Sequence, residues 1–144
     1  MKARGFTLIE LLITIAVLAI VATIAVPGFQ TMLAGNRLAA DYNEVLTGLN
    51  LARSEAIKRR ENVAFQVTQA SPWVYRITLA DGTDIAIRQA RDDRVSLTAT
   101  SITFNALGRR ESCSSGCSVT VDHSNGDSRD MQVSTTGRIA KPTS

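Results

Sequence analysis

Met1-Lys2-Ala3-Arg4-Gly5 leads into Phe6-Thr7-Leu8-Ile9-Glu10, and after Glu10 no charged residue occurs from Leu11 to Asn36. A helix rises about 1.5 Å per residue and crosses the hydrocarbon layer of a bilayer with about 20 apolar residues, so this stretch is long enough to span a membrane. Two common devices begin this way. A cleaved secretory signal needs an apolar core of only about 7 to 15 residues and a small-x-small cleavage site, whereas Ala16, Ala19, Ala22 and Ala25 recur at intervals of three. A signal anchor fits better, because Lys2 and Arg4 would hold the amino end in the cytoplasm. It gives Glu10 no purpose. An ionisable group in a membrane segment is costly and marks function by default, unless it snorkels to the headgroups from near the helix end.

The stretch Gly5-Phe6-Thr7-Leu8-Ile9-Glu10-Leu11 resembles the class III leader and processing site of type IV prepilins and type II secretion pseudopilins. The resemblance implies that an inner-membrane prepilin peptidase cuts after Gly5 and that the new terminus at Phe6 is N-methylated. It also implies that Glu10 neutralises the amine of Phe6 on a neighbouring subunit of a filament. Opposite charges attract strongly in a poorly hydrated filament core, where either charge alone would bear a large desolvation cost. Such a pair would set the register of assembly.

Beyond the apolar segment, Pro27 removes a backbone donor and predicts a bend in the helix rather than its end. Leu38, Tyr42, Val45, Leu49, Ala52 and Ala56 step by three and four along one helical face, and Leu46 and Ile57 broaden it. Arg37, Asp41, Glu44, Arg53, Glu55, Lys58 and Arg59 form the solvated side, with basic residues gathered near the end where the helix dipole favours them. A single helix from about Phe6 to Arg60 would measure roughly 80 Å. After Asn62 the period changes to two. Val63, Phe65 and Val67 alternate with polar neighbours, as do Trp73, Tyr75, Ile77 and Leu79, and Asp81-Gly82 marks a turn before Ile85 and Ile87. Val95 and Leu97, Ile102 and Phe104, Val119 and Val121, and Met131 and Val133 predict further short strands, with a hairpin at Asn125-Gly126. About 80 residues make a small core alone, so the helix stripe is expected to complete it. The reading is α+β: a long kinked amino-terminal helix with a small antiparallel β-rich head. It divides into a leader (1–5), an apolar helix (6–29), its amphipathic continuation (30–61) and the head (62–144).

Three interior blocks narrow the resemblance: Leu51 through Arg59, Ile102-Thr103-Phe104-Asn105-Ala106-Leu107-Gly108-Arg109, and Ser134-Thr135-Thr136-Gly137-Arg138. They resemble the FimT/FimU minor pilins and the related H-type pseudopilins. That implies the type IV pilin fold, partnership with other pilins or pseudopilins, a single-pass place in the bacterial inner membrane with a periplasmic head, and then a filament. β-Turns at Gly108 and Gly137 are the purely structural reading of the last two blocks. Some FimT-type pilins are DNA-binding competence factors with a Gly-Arg-x-Arg motif near the carboxyl end. Here Gly137-Arg138-Ile139-Ala140-Lys141 lacks the second arginine, and Lys141 lies one position late. Arg138 and Lys141 are the candidate phosphate contacts, with Arg109 and Arg110 as neighbours if the two glycine turns converge.

Cys113 and Cys117 enclose Ser114-Ser115-Gly116, and in an exported head they are expected to pair. A zinc site built on Cys113, Cys117 and His123 lacks an evident fourth ligand. With one histidine, no nucleophile motif and no glycine-rich phosphate loop, the chain offers no constellation for acid-base or covalent catalysis, and no cofactor is implied. Charge argues little for nucleic acid. The formal net is +3, but without Lys2 and Arg4 the chain holds 14 basic and 13 acidic side chains, and residues 62–144 hold nine and eight. The expected function is structural: a minor pilin that helps to prime pilus assembly or sits at the filament tip, with a secretion pseudopilin and a pilus-borne DNA receptor as alternatives.

Overall fold

The computed structural model describes residues 6–142. A 52-residue helix, α1 (Leu8–Arg59), precedes nine strands: β1 (Val63–Ala70), β2 (Trp73–Leu79), β3 (Asp84–Gln89), β4 (Val95–Leu97), β5 (Ser101–Phe104), β6 (Arg110–Cys113), β7 (Ser118–His123), β8 (Ser128–Val133) and β9 (Ile139–Ala140). The chain divides into two compact units, Met1–Gly35 and Asn36–Ser144.

The first unit is helical from Leu8 onward and contains Pro27 without a break in the helix assignment. Its apolar side chains, from Leu8 through Leu33, are exposed. Its hydroxyls are satisfied locally: Thr14 donates to the Leu11 carbonyl and Thr23 to the Ile20 carbonyl, each at 2.7 Å. That local bonding limits what the two threonines cost in an apolar medium. This helix is long and apolar enough to cross a membrane.

In the second unit the helix stripe meets its core. Leu38, Val45, Leu49, Ala52 and Ala56 are buried, and Tyr42 and Leu46 pack beside them. Gly48 lies on the same stripe, and a Cβ there would stand 2.6 Å from the Tyr75 hydroxyl. The missing side chain lets Tyr75 lie against the helix backbone. Its hydroxyl faces the Glu44 carbonyl and carboxylate, each at 3.3 Å. Burial first, and the Glu44 charge second, push the Tyr75 hydroxyl far above its ordinary range, so it remains a neutral donor. Trp73 and Phe65 continue the layer, with ring centroids 5.6 and 4.7 Å from that of Tyr75.

The strands form two antiparallel sheets, ordered β3-β2-β1-β5-β6 and β4-β7-β8-β9. Alternation works as the period of two demands: Val63, Phe65 and Val67 point inward from β1, Trp73, Tyr75 and Ile77 from β2, and Val119 and Val121 from β7. Fully burying each such side chain contributes roughly 1.5 to 3 kcal/mol.

On β3, Ile87 is opposite Arg76 in the β2–β3 register and 48% exposed, while Ala86 and Arg88 pair with the inward Ile77 and Tyr75. One expectation needs correction. Arg53 does not belong to the solvated side of α1. It is half-buried, and its Nε donates to the Gly108 carbonyl at 3.0 Å. Strands β6 and β9 were not anticipated, because neither Arg110-Glu111-Ser112-Cys113 nor Ile139-Ala140 alternates apolar with polar residues.

Candidate functional site

Gly5, the expected cleavage position, lies outside the described residues. Phe6 is 86% exposed. Immediately after it, Thr7 and Glu10 hold each other across the first helical turn. The Glu10 N–H donates to Thr7 Oγ1 at 3.3 Å, and the Thr7 N–H donates to Glu10 Oε2 at 3.5 Å. The first helical bond runs from the Leu11 N–H to the Thr7 carbonyl at 3.2 Å. Thr7 is therefore the helix N-cap, and Thr7-Leu8-Ile9-Glu10 is a capping box in which two otherwise orphaned N–H groups find acceptors. The Thr-x-x-Glu spacing is the sequence signal for this box, and it is distinct from the signal that the Glu10 charge gives.

The second assembly of candidate residues is at the other end of α1. The three interior blocks that the sequence set apart meet there. In each of two turns, a glycine N–H donates back three residues, Gly108 to Asn105 at 2.8 Å and Gly137 to Ser134 at 2.9 Å. Both glycines have left-handed backbones, with φ of 70° and 79°. The turns converge: a Cβ on Gly137 would overlap the Gly108 carbonyl oxygen and stand 3.3 Å from the Arg109 Cα. From the helix side, Arg53 clamps the same Gly108 carbonyl, and Ile57 reaches to 2.6 Å of where a Gly108 Cβ would be. The turn around Asn105 is further tied by its side-chain oxygen, which accepts from the Leu107 and Arg109 N–H groups, each at 3.1 Å.

The convergence brings Arg109 and Arg138 onto adjoining turns with both side chains exposed. Arg110 does not join them. Its Nη1 donates to the Val133 carbonyl at 2.5 Å, which makes it a tie between β6 and β8 rather than a free cation. Lys141 is exposed but follows β9, three residues and roughly 10 Å beyond Arg138. Of the four cations named from sequence, two are exposed on adjoining turns.

Cys113 and Cys117 are joined as a disulfide with Cα atoms 5.2 Å apart. The bridge spans the connection from β6, at the edge of one sheet, to β7 in the other. His123 is buried instead against Asn125, whose Oδ1 stands 2.9 Å from its Nδ1. Among the described residues, no group of three or more His, Cys, Asp or Glu is placed to hold a metal ion.

A groove of about 570 Å³ runs between α1 and the end of β3, with Asp41, Glu44, Trp73, Arg88 and Asp92 in its wall. Arg88 Nε is 3.4 Å from Glu44 Oε1. Burial, reinforced by Asp92, raises the Asp41 carboxyl above its usual range.

The model of the family described as type II transport protein GspH matches residues 41–137, and that of the prokaryotic N-terminal methylation motif matches residues 1–26. Two curated proteins of Pseudomonas aeruginosa, each described as a fimbrial protein, are 31% identical to this chain over 150 residues, which cover 99% of the chain and 94% of each relative. Among solved structures, the type IV minor pilin FimU of P. aeruginosa PAO1 is similar with a TM-score of 0.59 and 22% identity, over 75% of this chain and 90% of that one. That likeness is one of fold: a long amino-terminal helix and an antiparallel β head.

Proposed function

Because the chain belongs to the GspH family and carries the prokaryotic N-terminal methylation motif, we propose that this pilin-like structural subunit serves as a minor pilin of a type IV pilus, priming assembly or occupying the filament tip. In this reading the prepilin peptidase cuts after Gly5 and Phe6 becomes the N-methylated terminus. The apolar helix holds the subunit in the inner membrane with its head in the periplasm, and later passes into the filament core. The observation that carries the reading is Glu10, an exposed carboxylate at the start of α1, just ahead of an exposed apolar stretch in which no charged residue occurs from Leu11 to Asn36. A simple membrane anchor has no use for that charge. Pairing with the Phe6 amine of the next subunit gives it one, since the two groups together cost far less to desolvate than either alone.

The test is recovery from sheared surface filaments. The chain is expected there at low abundance relative to a main subunit, with a mass that begins at a methylated Phe6. Recovery only with the pseudopilus of a type II secretion system would move the subunit to that machine, which the same helix and head would serve. A chain that retains Met1 in cells with active prepilin peptidase would contradict the processing step.

A second reading, DNA contact by the filament, is favoured by one observation: exposed Arg109 and Arg138 stand on turns whose backbones meet. Two phosphate contacts give a salt slope of only about −1.8, so binding of the head (residues 30–144) to duplex DNA is expected to be weak, without sequence preference, and to fall about tenfold between 50 and 200 mM salt. Titration at both salts, repeated with Arg138→Ala, checks this. Tight binding that survives high salt and disappears in Arg138→Ala would make DNA capture the primary function.

A further inference from the structure

We propose that Thr7 is a positioning residue for assembly: its capping box holds the Glu10 carboxylate in one arrangement at the helix start, ready for the amine of an incoming subunit. The inference rests on the reading that Glu10 pairs with a neighbouring Phe6 amine, and it adds what prepares Glu10 to do so.

The geometry is reciprocal. Thr7 Oγ1 accepts from the Glu10 N–H, and Glu10 Oε2 accepts from the Thr7 N–H. Oε1 takes no part in the box and is left to accept from a cation. The box has three physical consequences. It gives an ionised carboxylate a backbone donor inside an apolar segment, where an unpartnered carboxylate is most costly. It places that charge over the positive end of the α1 dipole, the favourable end for an anion. And it fixes a side chain that otherwise samples many rotamers, so the ordering cost is met before the partner arrives. Thr7 also directly follows Phe6, so the residue that aligns the acceptor in one subunit is bonded to the residue that supplies the amine for the next. Within each subunit, donor and acceptor are tied to the same helix start.

Thr7→Val removes the hydroxyl at nearly constant shape, and Thr7→Ser retains it. In full-length chains expressed with the filament machinery, Thr7→Val is expected to insert and be processed like wild type, because one cap does not decide a 52-residue helix. Its incorporation into filaments, normalised to processed protein in the membrane, should fall about fivefold, the factor that the cost of ordering one rotamer-rich side chain at the contact carries. Thr7→Ser should restore it. Glu10→Gln separates the box from the charge, since glutamine also serves at the third helical position of a capping box. If Thr7→Val incorporates normally while Glu10→Gln does not, the positioning role is overturned and charge pairing stands. If Thr7→Val fails while Glu10→Gln incorporates normally, charge pairing is overturned and the box stands. A Thr7→Ser variant as defective as Thr7→Val would also overturn the proposal, because the hydroxyl would then be irrelevant. A readout independent of processing is hydrogen exchange of the Thr7 and Glu10 amides in the membrane-inserted chain. It should accelerate in Thr7→Val and not in Thr7→Ser, and equal exchange in Thr7→Val and wild type would overturn the box itself.

Discussion

Gly137→Ala is expected to destabilise the head by at least about 3 kcal/mol and to leave much of it unfolded at physiological temperature. Two costs coincide at this position. A left-handed backbone, with φ of 79°, strains any residue that carries a Cβ by roughly 1 to 3 kcal/mol. The new methyl would also overlap the Gly108 carbonyl oxygen, a backbone atom that Arg53 holds from the other side. Neither turn can retreat easily: one is braced by Asn105, the other is bonded through the Ser134 hydroxyl to the Arg138 N–H at 3.1 Å. Gly126→Ala is the control. Its φ of 95° is equally unsuited to alanine, but nothing lies within 4 Å of the added methyl, so only the conformational cost applies. Urea unfolding of the soluble head (residues 30–144) measures both. Equal losses in the two variants would show that the contact between the turns is not close. Gly108→Ala should be intermediate, because the obstruction there includes the movable end of Ile57.

What the sequence made legible was what periodicity encodes. The step of three and four from Leu38 to Ala56 became the buried stripe of α1, and the step of two in Val63-Phe65-Val67 and Trp73-Tyr75-Ile77 became inward faces of β1 and β2. The pairing of Cys113 with Cys117 followed from the expectation that the head is exported. The less legible features depend on what lies across space. Arg53 reads as a solvated helix charge until the Gly108 carbonyl is seen to arrive beside it, and Gly48 reads as a weak helix residue until Tyr75 fills the space it leaves. Arg110 looked as available as Arg109, yet the tie to Val133 depends on a strand, β6, that no alternation announced. The meeting of the two glycine turns joins segments 29 residues apart in sequence and exists only in the closed fold. The helix start differs, because there the relevant contact is local. Thr7-x-x-Glu10 is a local pattern, legible from spacing alone, whereas the charge of Glu10 points outward to a second subunit.

Glu10→Ala is the second large effect. Removing the one carboxylate from the helix start makes the segment more apolar, so membrane insertion should be undiminished or slightly improved. In the proposed pairing, removing it also leaves the incoming Phe6 amine unpaired at a place where an uncompensated buried charge costs roughly 3 to 5 kcal/mol, enough to reduce incorporation a hundredfold or more. Removing a residue that served only to snorkel toward headgroups would cause no loss in assembly. The account therefore stands most directly on one measurement: the ratio of filament-borne to membrane-borne subunit for Glu10→Ala against wild type, quantified in the same cells. The predicted result is full membrane insertion with a ratio lowered at least a hundredfold, and a ratio equal to wild type would contradict the proposed pairing.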